Sequence, residues 1–189
     1  MGFKIGLALC GSFCTFHRVL AQTEALVAEG MTVTSIFSFC SAATDTRFGT
    51  AAEWLARFEA VTGQKPLLTL PDVEPIGPKG YFDVLAVAPC TGSTLGRLAS
   101  GISDTPVTLA VKSQLRRGRP VVIAVSTNDA LGFSMKNIAL LKNSKQLYFV
   151  PMSQDDAINK PNSLVADFTK LSAAIRAASE GVQLQPLFE

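Results

Sequence analysis

Small and hydroxyl-bearing residues follow an apolar segment near the middle of the chain. The apolar segment, residues 84–88, is typical of a buried parallel strand, and Pro89 is expected to end it because proline has no N–H for the sheet ladder. The residues that come next are Cys90, Thr91, Gly92, Ser93 and Thr94. A helix is predicted after them from the spacing of Leu95, Leu98, Ala99 and Ile102.

A strand that leads through such a turn into a helix is suited to bind an anion. The free N–H groups and the positive dipole end of the helix would face a phosphate or the polar edge of a cofactor. A plain connection whose serine and threonine side chains only cap the helix explains the same pattern. This stretch alone does not distinguish an anion-binding turn from a plain helix cap.

The loop after the first predicted strand (residues 3–9) contains Gly11, Ser12 and Phe13. It lacks the Gly-x-Gly-x-x-Gly pattern, and no acidic residue closes the second predicted strand, so a nicotinamide dinucleotide is disfavoured. One tight-turn glycine beside a serine hydroxyl suits a mononucleotide phosphate better. Polar side chains also follow the second and fourth predicted strands; these are Ser38, Ser41, Ser126, Thr127 and Asn128.

Three residues are candidates for a role in catalysis. His17, the only histidine of the chain, is predicted one turn into the first helix, where it would act as an acid or base or simply pack locally. Arg47 is the best candidate to pair with a carboxylate, and Asn128, after the fourth predicted strand, is the third candidate. Asp45, Asp155 and Asp156 are loop charges that would meet a polar substrate or stay solvated.

The four cysteines all fall at or just after predicted strand ends; they are Cys10, Cys14, Cys40 and Cys90. Convergence at one sheet edge would allow a metal or cluster site. No two of them have the Cys-x-x-Cys spacing, and cysteine is a common small residue in buried positions. We therefore expect no metal site.

The order of elements predicts an α/β fold. Strands are predicted at residues 3–9, 32–37, 84–88, 120–125 and 147–150, with a short one at 67–70, and helices lie between them. Residues 151–162 are predicted as a polar loop, and a last helix is predicted to begin near Leu164. Alternating strands and helices indicate one doubly wound domain over residues 1–189 with a mostly parallel sheet of five to six strands. Ligands of such sheets bind beyond the carboxyl ends of the strands.

Composition limits the function classes. A chain of 189 residues with 48% hydrophobic and 17% charged residues is typical of a globular domain. A net charge of +2 gives no argument for nucleic acid, and the cluster Arg116, Arg117 and Arg119 is expected to be a solvated helix end. No apolar run is long enough for a membrane span. We expect a cytoplasmic protein without disulfides.

The chain resembles a family of FMN proteins that includes cysteine decarboxylase-like and prenyltransferase-like members, with a flavodoxin-like (Rossmann-like) fold. Residues 88–95 are similar to the family's hydroxyl-rich flavin loop, and Gly11 and Ser12 to its phosphate loop. Ser38 or Ser41 lies where a second-loop hydroxyl meets the phosphate in that family. The resemblance implies FMN bound by these loops together with residues 126–128.

Two departures from the decarboxylase pattern are present. That pattern has a cysteine after the last strand, where this chain has residues 151–156, and a histidine after the second strand, where residues 38–49 contain none. Both departures disfavour decarboxylation of a peptidyl cysteine.

Residues 44–49, 126–132 and 149–165 are similar to one branch of the family. Members of that branch act with a partner, the A subunit, and convert a dihydrodipicolinate-type precursor, a dicarboxylic heterocycle, to dipicolinate during sporulation. The resemblance implies a flavin-type oxidoreductase subunit and a homo-oligomer. Two alternatives remain: a scaffold subunit with a degenerate flavin site, and a decarboxylase or prenyltransferase-like FMN enzyme that acts alone.

Overall fold

A computed structural model describes residues 2–189. Its sheet is built on five parallel strands: β1 (Lys4–Leu9), β2 (Thr32–Phe37), β3 (Val84–Cys90), β4 (Val121–Thr127) and β5 (Leu147–Phe149). Their spatial order is β2-β1-β3-β4-β5. This arrangement confirms the flavodoxin-like α/β class, in which the strand order reverses beside β1.

Helices cover both faces of the sheet. In chain order they are α1 (Phe16–Ala28), α2 (Phe39–Ala43), α3 (Ala51–Thr62), α4 (Leu70–Val73), α5 (Ile76–Lys79), α6 (Gly92–Ala99), α7 (Pro106–Arg116), α8 (Met135–Lys142) and α9 (Leu171–Ser179). Short 3-10 turns at Phe13–Thr15 and Phe168–Lys170 precede α1 and α9. The predicted capping box of Thr50 and Glu53 is present at the start of α3.

Two apolar cores form because both faces of the parallel sheet are covered. Alternate residues of β3 point to opposite faces: Ala86 packs in the core beneath α1, α3 and α9, while Leu85 and Val87 pack in the core beneath α7 and α8. All seven residues of β3 are buried. The continuous apolar sequence of this strand follows from that double burial.

The sheet has seven strands, slightly more than the predicted five to six. The additional pair is antiparallel, β6 (Met152–Ser153) and β7 (Leu164–Ala166), and β7 hydrogen-bonds to the carboxyl end of β4. The prediction of a last helix from Leu164 was therefore wrong. Leu164 and Ala166 alternate with a half-exposed Val165, a strand pattern, and Asp167 caps the 3-10 turn that leads into α9.

Pro89 does not end β3, which continues to Cys90. The pairing of β3 with β4 shifts between Val87 and Cys90, and this irregularity accommodates a residue without an N–H. The Pro89 carbonyl still accepts a hydrogen bond from Cys10, 3.2 Å away, and so joins the ends of β1 and β3.

Two smaller expectations were also wrong. The predicted strand at residues 67–70 is a single bridge between Leu67 and Ile36. Helix α6 ends before Ile102, whose side chain is exposed. Arg116 and Arg117 are exposed, as expected for a solvated helix end, although Arg117 also donates to the carbonyl of Pro78 and the less exposed Arg119 donates to that of Gly80.

An aromatic cluster fixes the start of α1 beneath the loop that follows β1. The Phe16 ring lies edge-on to Trp54 with centroids 5.3 Å apart, and it also meets Phe37 at 6.4 Å and Phe58 at 6.5 Å. All four side chains are buried. Edge-to-face pairs of this kind add to the stabilisation from area burial alone.

We predict that Phe16→Ala lowers the free energy of unfolding by about 3–5 kcal/mol, because it removes a fully buried ring and leaves a cavity. Phe39→Ala is the matched control, since Phe39 is about half exposed, and it should change stability by less than about 0.5 kcal/mol. Urea denaturation of both variants measures the difference. Equal losses would contradict a supporting role of the cluster.

Candidate functional site

The loops after β1, β3 and β4 meet at one cavity at the carboxyl edge of the sheet. Its volume is about 1040 Å³. Because β3 lies between β1 and β4, these three loops are adjacent in space although they are far apart in the chain. The cavity lies at the point where the strand order reverses, which is where doubly wound sheets bind their ligands.

A side-chain hydrogen bond joins the loop after β1 to the carboxyl end of β4. The hydroxyls of Ser12 and Ser126 are 2.8 Å apart, although 114 residues separate them in the chain. Ser12 also begins the 3-10 turn ahead of α1, where its carbonyl accepts the Thr15 N–H at 3.1 Å and the Thr15 hydroxyl at 2.8 Å. The loop after β1 is therefore held on both sides of its serine.

The start of α6 has a side-chain cap and also faces the cavity. Thr91 is the cap, and its hydroxyl accepts the Thr94 N–H at 3.4 Å. Gly92 and Ser93 line the cavity at the first turn of the helix. The two interpretations of this stretch are therefore compatible: Thr91 caps the helix, while the residues after it face the ligand space.

A carboxylate with hydroxyl partners lies opposite Gly92. Asp129 accepts hydrogen bonds from the Thr127 hydroxyl at 2.5 Å and from the Ser134 hydroxyl at 3.0 and 3.1 Å. A Cβ on Gly92 would lie 2.8 Å from the Asp129 Oδ1 and 2.8 Å from the Ser134 Oγ. Only glycine fits at residue 92 without displacing this group.

The loop between β6 and β7 forms another wall. Lys160 donates to Asp155 at 2.9 Å, and both residues line the cavity with Ser163. The hydroxyl of Ser163 and then the ammonium of Lys160 lower the pKa of Asp155. Asp156 instead accepts the Asn159 N–H at 2.9 Å and lies outside the lining. The predicted loop charges thus divide, with Asp155 at the cavity and Asp156 ordering the loop.

Nine of the predicted cofactor-binding residues line the cavity: Gly11, Ser12, Phe13, Thr91, Gly92, Ser93, Ser126, Thr127 and Asn128. The others lie behind it. Ser38 and Ser41 are buried and bonded to each other at 2.9 Å, and the Ser41 hydroxyl donates to the Leu9 carbonyl. Pro89 and Cys90 belong to β3, and Thr94 is buried, with its hydroxyl 3.2 Å from the Cys10 sulfur.

Of the three predicted catalytic candidates, the structure brings only Asn128 to the cavity of this chain. His17 is exposed on α1, outside the lining. Arg47 is exposed in the loop before α3, with its guanidinium 4.8 Å from the Phe48 ring centre. The nearby Asp45 accepts the Ala51 N–H at 2.8 Å.

Cys10 and Cys90 form a buried thiol pair beneath the cavity. A hydrogen bond from Cys90 lowers the pKa of Cys10, and burial raises that of Cys90. Cys14 and Cys40 are exposed. Across residues 2–189, no three histidine, cysteine or acidic side chains lie close enough together to hold a metal ion.

Sequence reasoning missed part of the lining. The missed residues are Cys14, Thr15, Arg18, Asp129, Phe133, Ser134, Asn137, Lys160, Ser163 and Val165. Asp129 directly follows the predicted Asn128, so a longer window after β4 would have found it. In the β6–β7 loop the sequence pointed to Asp155 but not to Lys160 or Ser163, because the approach of this loop to the cavity depends on β7 pairing with β4.

The strand order and the placement of the cavity define a protein of the flavodoxin-like class. The family model described as Flavoprotein matches residues 1–178, and the chain belongs to this family. It is 42% identical to the B subunit of dipicolinate synthase from Bacillus subtilis over 186 residues, which cover 98% of this chain and 93% of the relative.

Two solved structures are similar to this chain, one in sequence and fold and the other in fold. The crystal structure of the B subunit of dipicolinate synthase from Bacillus halodurans matches with a TM-score of 0.91 and 41% identity, covering 100% of this chain and 98% of that one. DmrB of Burkholderia xenovorans, solved in complex with FMN, shares the fold with a TM-score of 0.70 and 16% identity, covering 94% and 97% of the two chains. No helix in residues 2–189 is long and apolar enough to cross a membrane.

We predict that Gly92→Ala lowers the free energy of unfolding by about 1–3 kcal/mol, because its Cβ would overlap Asp129 and Ser134. Gly96→Ala in the same helix is the control. Its Cβ would lie 3.6 Å from the Asn137 amide, an ordinary contact, so the better helix propensity should add about 0.5–1 kcal/mol. Thermal and urea unfolding test the pair. A stabilising Gly92→Ala would contradict the packing described here.

The lowered pKa of Asp155 predicts a pH-dependent contribution to stability. The folded chain binds this proton more weakly than the unfolded chain, so the contribution is present at neutral pH and is lost as the pH falls through the lowered pKa. Asp155→Asn should therefore destabilise the protein at pH about 7 and have little effect at pH about 2. Urea denaturation at the two pH values measures this. An equal loss at both would show that the charge of Asp155 is irrelevant.

Proposed function

We propose that this chain is the FMN-binding B subunit of a dipicolinate synthase, which works with an A subunit to form dipicolinate from a dihydrodipicolinate-type precursor. The observation that carries the proposal is the convergence of three hydroxyl-rich loops on one cavity at the reversal point of the sheet. The 42% identity to a B subunit over nearly the whole chain supports it.

The residues of the cavity suit FMN. Its volume of about 1040 Å³ is at the upper end for small-molecule sites. Hydroxyls of Ser12, Ser93 and Ser126 can donate to phosphate and ribityl oxygens, and the positive end of α6 favours the phosphate. Gly11 and Gly92 lie where a side chain would be crowded: a Cβ at Gly11 would lie 3.2 Å from the Cys40 sulfur, and one at Gly92 would lie 2.8 Å from the Asp129 Oδ1.

The charges at the cavity suit a dicarboxylic substrate. Arg18 lines the cavity and forms no ion pair with any acidic residue in the described part of the chain. Its guanidinium is therefore free to bind a carboxylate in a bidentate manner. Asn128 and Asn137 supply amide groups for the ring edge or the second carboxylate.

The chemistry is divided between cofactor and protein. A bound flavin would accept a hydride from the heterocycle, whose aromatisation supplies driving force. The protein would hold both molecules at the carboxyl edge of the sheet and bind the carboxylates. The A subunit would complete the enzyme, and a homo-oligomer is expected from the family resemblance.

We predict that the purified chain retains added FMN through gel filtration and shows a flavin absorbance band. Ser93→Leu, at the cavity end of α6, should weaken FMN binding at least about tenfold by filling the ligand space. Ser100→Leu, at the far end of the same helix and outside the cavity, should leave FMN binding unchanged. Fluorescence titration with FMN measures both.

Addition of the A subunit and the precursor should then reduce the flavin and release dipicolinate. A chain that binds the A subunit but remains colourless with FMN would contradict the proposal and support the scaffold alternative. Turnover by the isolated chain would instead support an FMN enzyme that acts alone.

A further inference from the structure

Formation of an aromatic ring from a dihydropyridine removes a hydride and a proton. In the proposed function the hydride goes to oxidised flavin, so the proton needs a separate acceptor. Four side chains that line the cavity can accept a proton when they are in their deprotonated form. They are Cys14, Asp129, Asp155 and Lys160. Their surroundings distinguish them.

Asp155 and Lys160 neutralise each other. Their charged atoms are 2.9 Å apart, and neither is free to exchange a proton with a substrate without breaking this pair. The Cys14 thiol has one polar contact in residues 2–189, at 4.0 Å from the Ser12 hydroxyl, so no hydrogen bond orients it firmly.

The carboxylate of Asp129 is held in place by hydrogen bonds and has no ion-pair partner in the described part of the chain. The Thr127 and Ser134 hydroxyls hold its carboxylate through three contacts of 2.5–3.1 Å. No cation of the described chain lies within ion-pair distance of it. Its Oδ2 accepts a hydrogen bond from Ser134 alone, which leaves that oxygen with a lone pair.

The backbone also contributes to this placement. Gly92 brings the first turn of α6 against the carboxylate at a distance that no other residue allows. The same turn lies in the predicted flavin loop, so the carboxylate adjoins the space assigned to the cofactor.

We propose that Asp129 is the catalytic base that accepts the proton lost by the heterocycle as it becomes aromatic. A bound oxidised flavin would supply the two-electron oxidation by taking one ring hydrogen as a hydride. A second ring C–H or N–H bond breaks, its electron pair enters the ring, and the proton forms a carboxylic acid at Asp129. Release of that proton to solvent restores the carboxylate. Thr127 and Ser134 are positioning residues. This inference rests on the proposed function.

Other charged groups surround this site without pairing with Asp129. Arg18 on α1, Cys14 before it, and Asp155 and Lys160 on the β6–β7 loop share the cavity. Lys136 on α8 lies 4.7 Å from the Phe133 ring centre. Arg97 on α6 pairs with Asp104.

The test uses the complex of this chain with the A subunit, FMN and the precursor. Asp129→Asn keeps the shape and one acceptor oxygen, and it should lower turnover by about 10²–10⁴-fold. Flavin retention and the affinity for dipicolinate, which has no proton to lose, should stay within about threefold of wild type. The fall of kcat/KM at acid pH in the wild type should be absent in the variant.

Asp167→Asn is the matched control. Asp167 also accepts a threonine hydroxyl at 2.5 Å, from Thr169, but lies outside the cavity, so turnover should be unchanged. Ser134→Ala, which removes two of the three contacts while keeping the carboxylate, should lower turnover by a smaller factor. Asp129→Glu should recover part of the lost rate. Circular dichroism melting verifies that each variant is folded.

Two results would overturn the assignment while leaving the proposed function intact: an Asp129→Asn complex that turns over at the wild-type rate, or one that loses flavin and dipicolinate binding in proportion to turnover. A wild-type complex that retains no flavin and forms no dipicolinate would overturn the proposed function and this inference together.

Discussion

The central strand β3 hydrogen-bonds to β1 on one side and to β4 on the other, and it is buried on both faces. This pairing determines the site. Because all three strands run in the same direction, their following loops must emerge at one edge of the sheet. The 2.8 Å contact between Ser12 and Ser126 is possible only because the register of the strands brings the two loop starts level across β3.

The polar groups of this edge are placed on top of two apolar cores, and burial makes their hydrogen bonds costly to leave unmade. Most of them are satisfied within the protein. The Ser41 hydroxyl donates to the Leu9 carbonyl, and the Thr94 hydroxyl contacts the Cys10 sulfur. Ser38, Ser41 and Thr94 thus support the loops from behind, whereas the residues with remaining hydrogen-bonding capacity, such as Ser93 and Asn128, face the cavity.

The antiparallel pair β6–β7 gives this chain its particular cavity. It adds to β4 at Ser126 and Thr127, just where the parallel pairing with β5 has ended. The loop of this pair contributes the ion pair of Asp155 and Lys160, while Asp129 and Ser134 come from the turn after β4. One cavity therefore contains a neutralised pair, a free guanidinium at Arg18 and an unpaired carboxylate, a combination that can distinguish acidic from proton-donating parts of a ligand.

The sequence by itself determined the α/β class, the five parallel strands and three of the segments that line the cavity, which follow β1 and β3 and end β4. These features depend on local apolar runs, on helical spacing and on caps such as Thr50 with Glu53, all of which are short-range. The similarity of residues 126–132 and 149–165 also indicated the family correctly.

Only the tertiary structure decided which polar residues face the ligand space. Ser38 and Ser93 are similar in sequence context, yet one is buried behind the sheet edge and the other lines the cavity. The strand at Leu164–Ala166 has three residues, too few for a periodic signal, and exists because β4 offers it unpaired backbone groups. The hydrogen-bond partners of Asp129 and Lys160 are only two to five residues away in the chain, but the meeting of these two groups at one cavity depends on the pairing of β7 with β4. Which distant segments pair depends on the balance of burial and hydrogen bonding over the whole fold. A local sequence pattern does not carry that information.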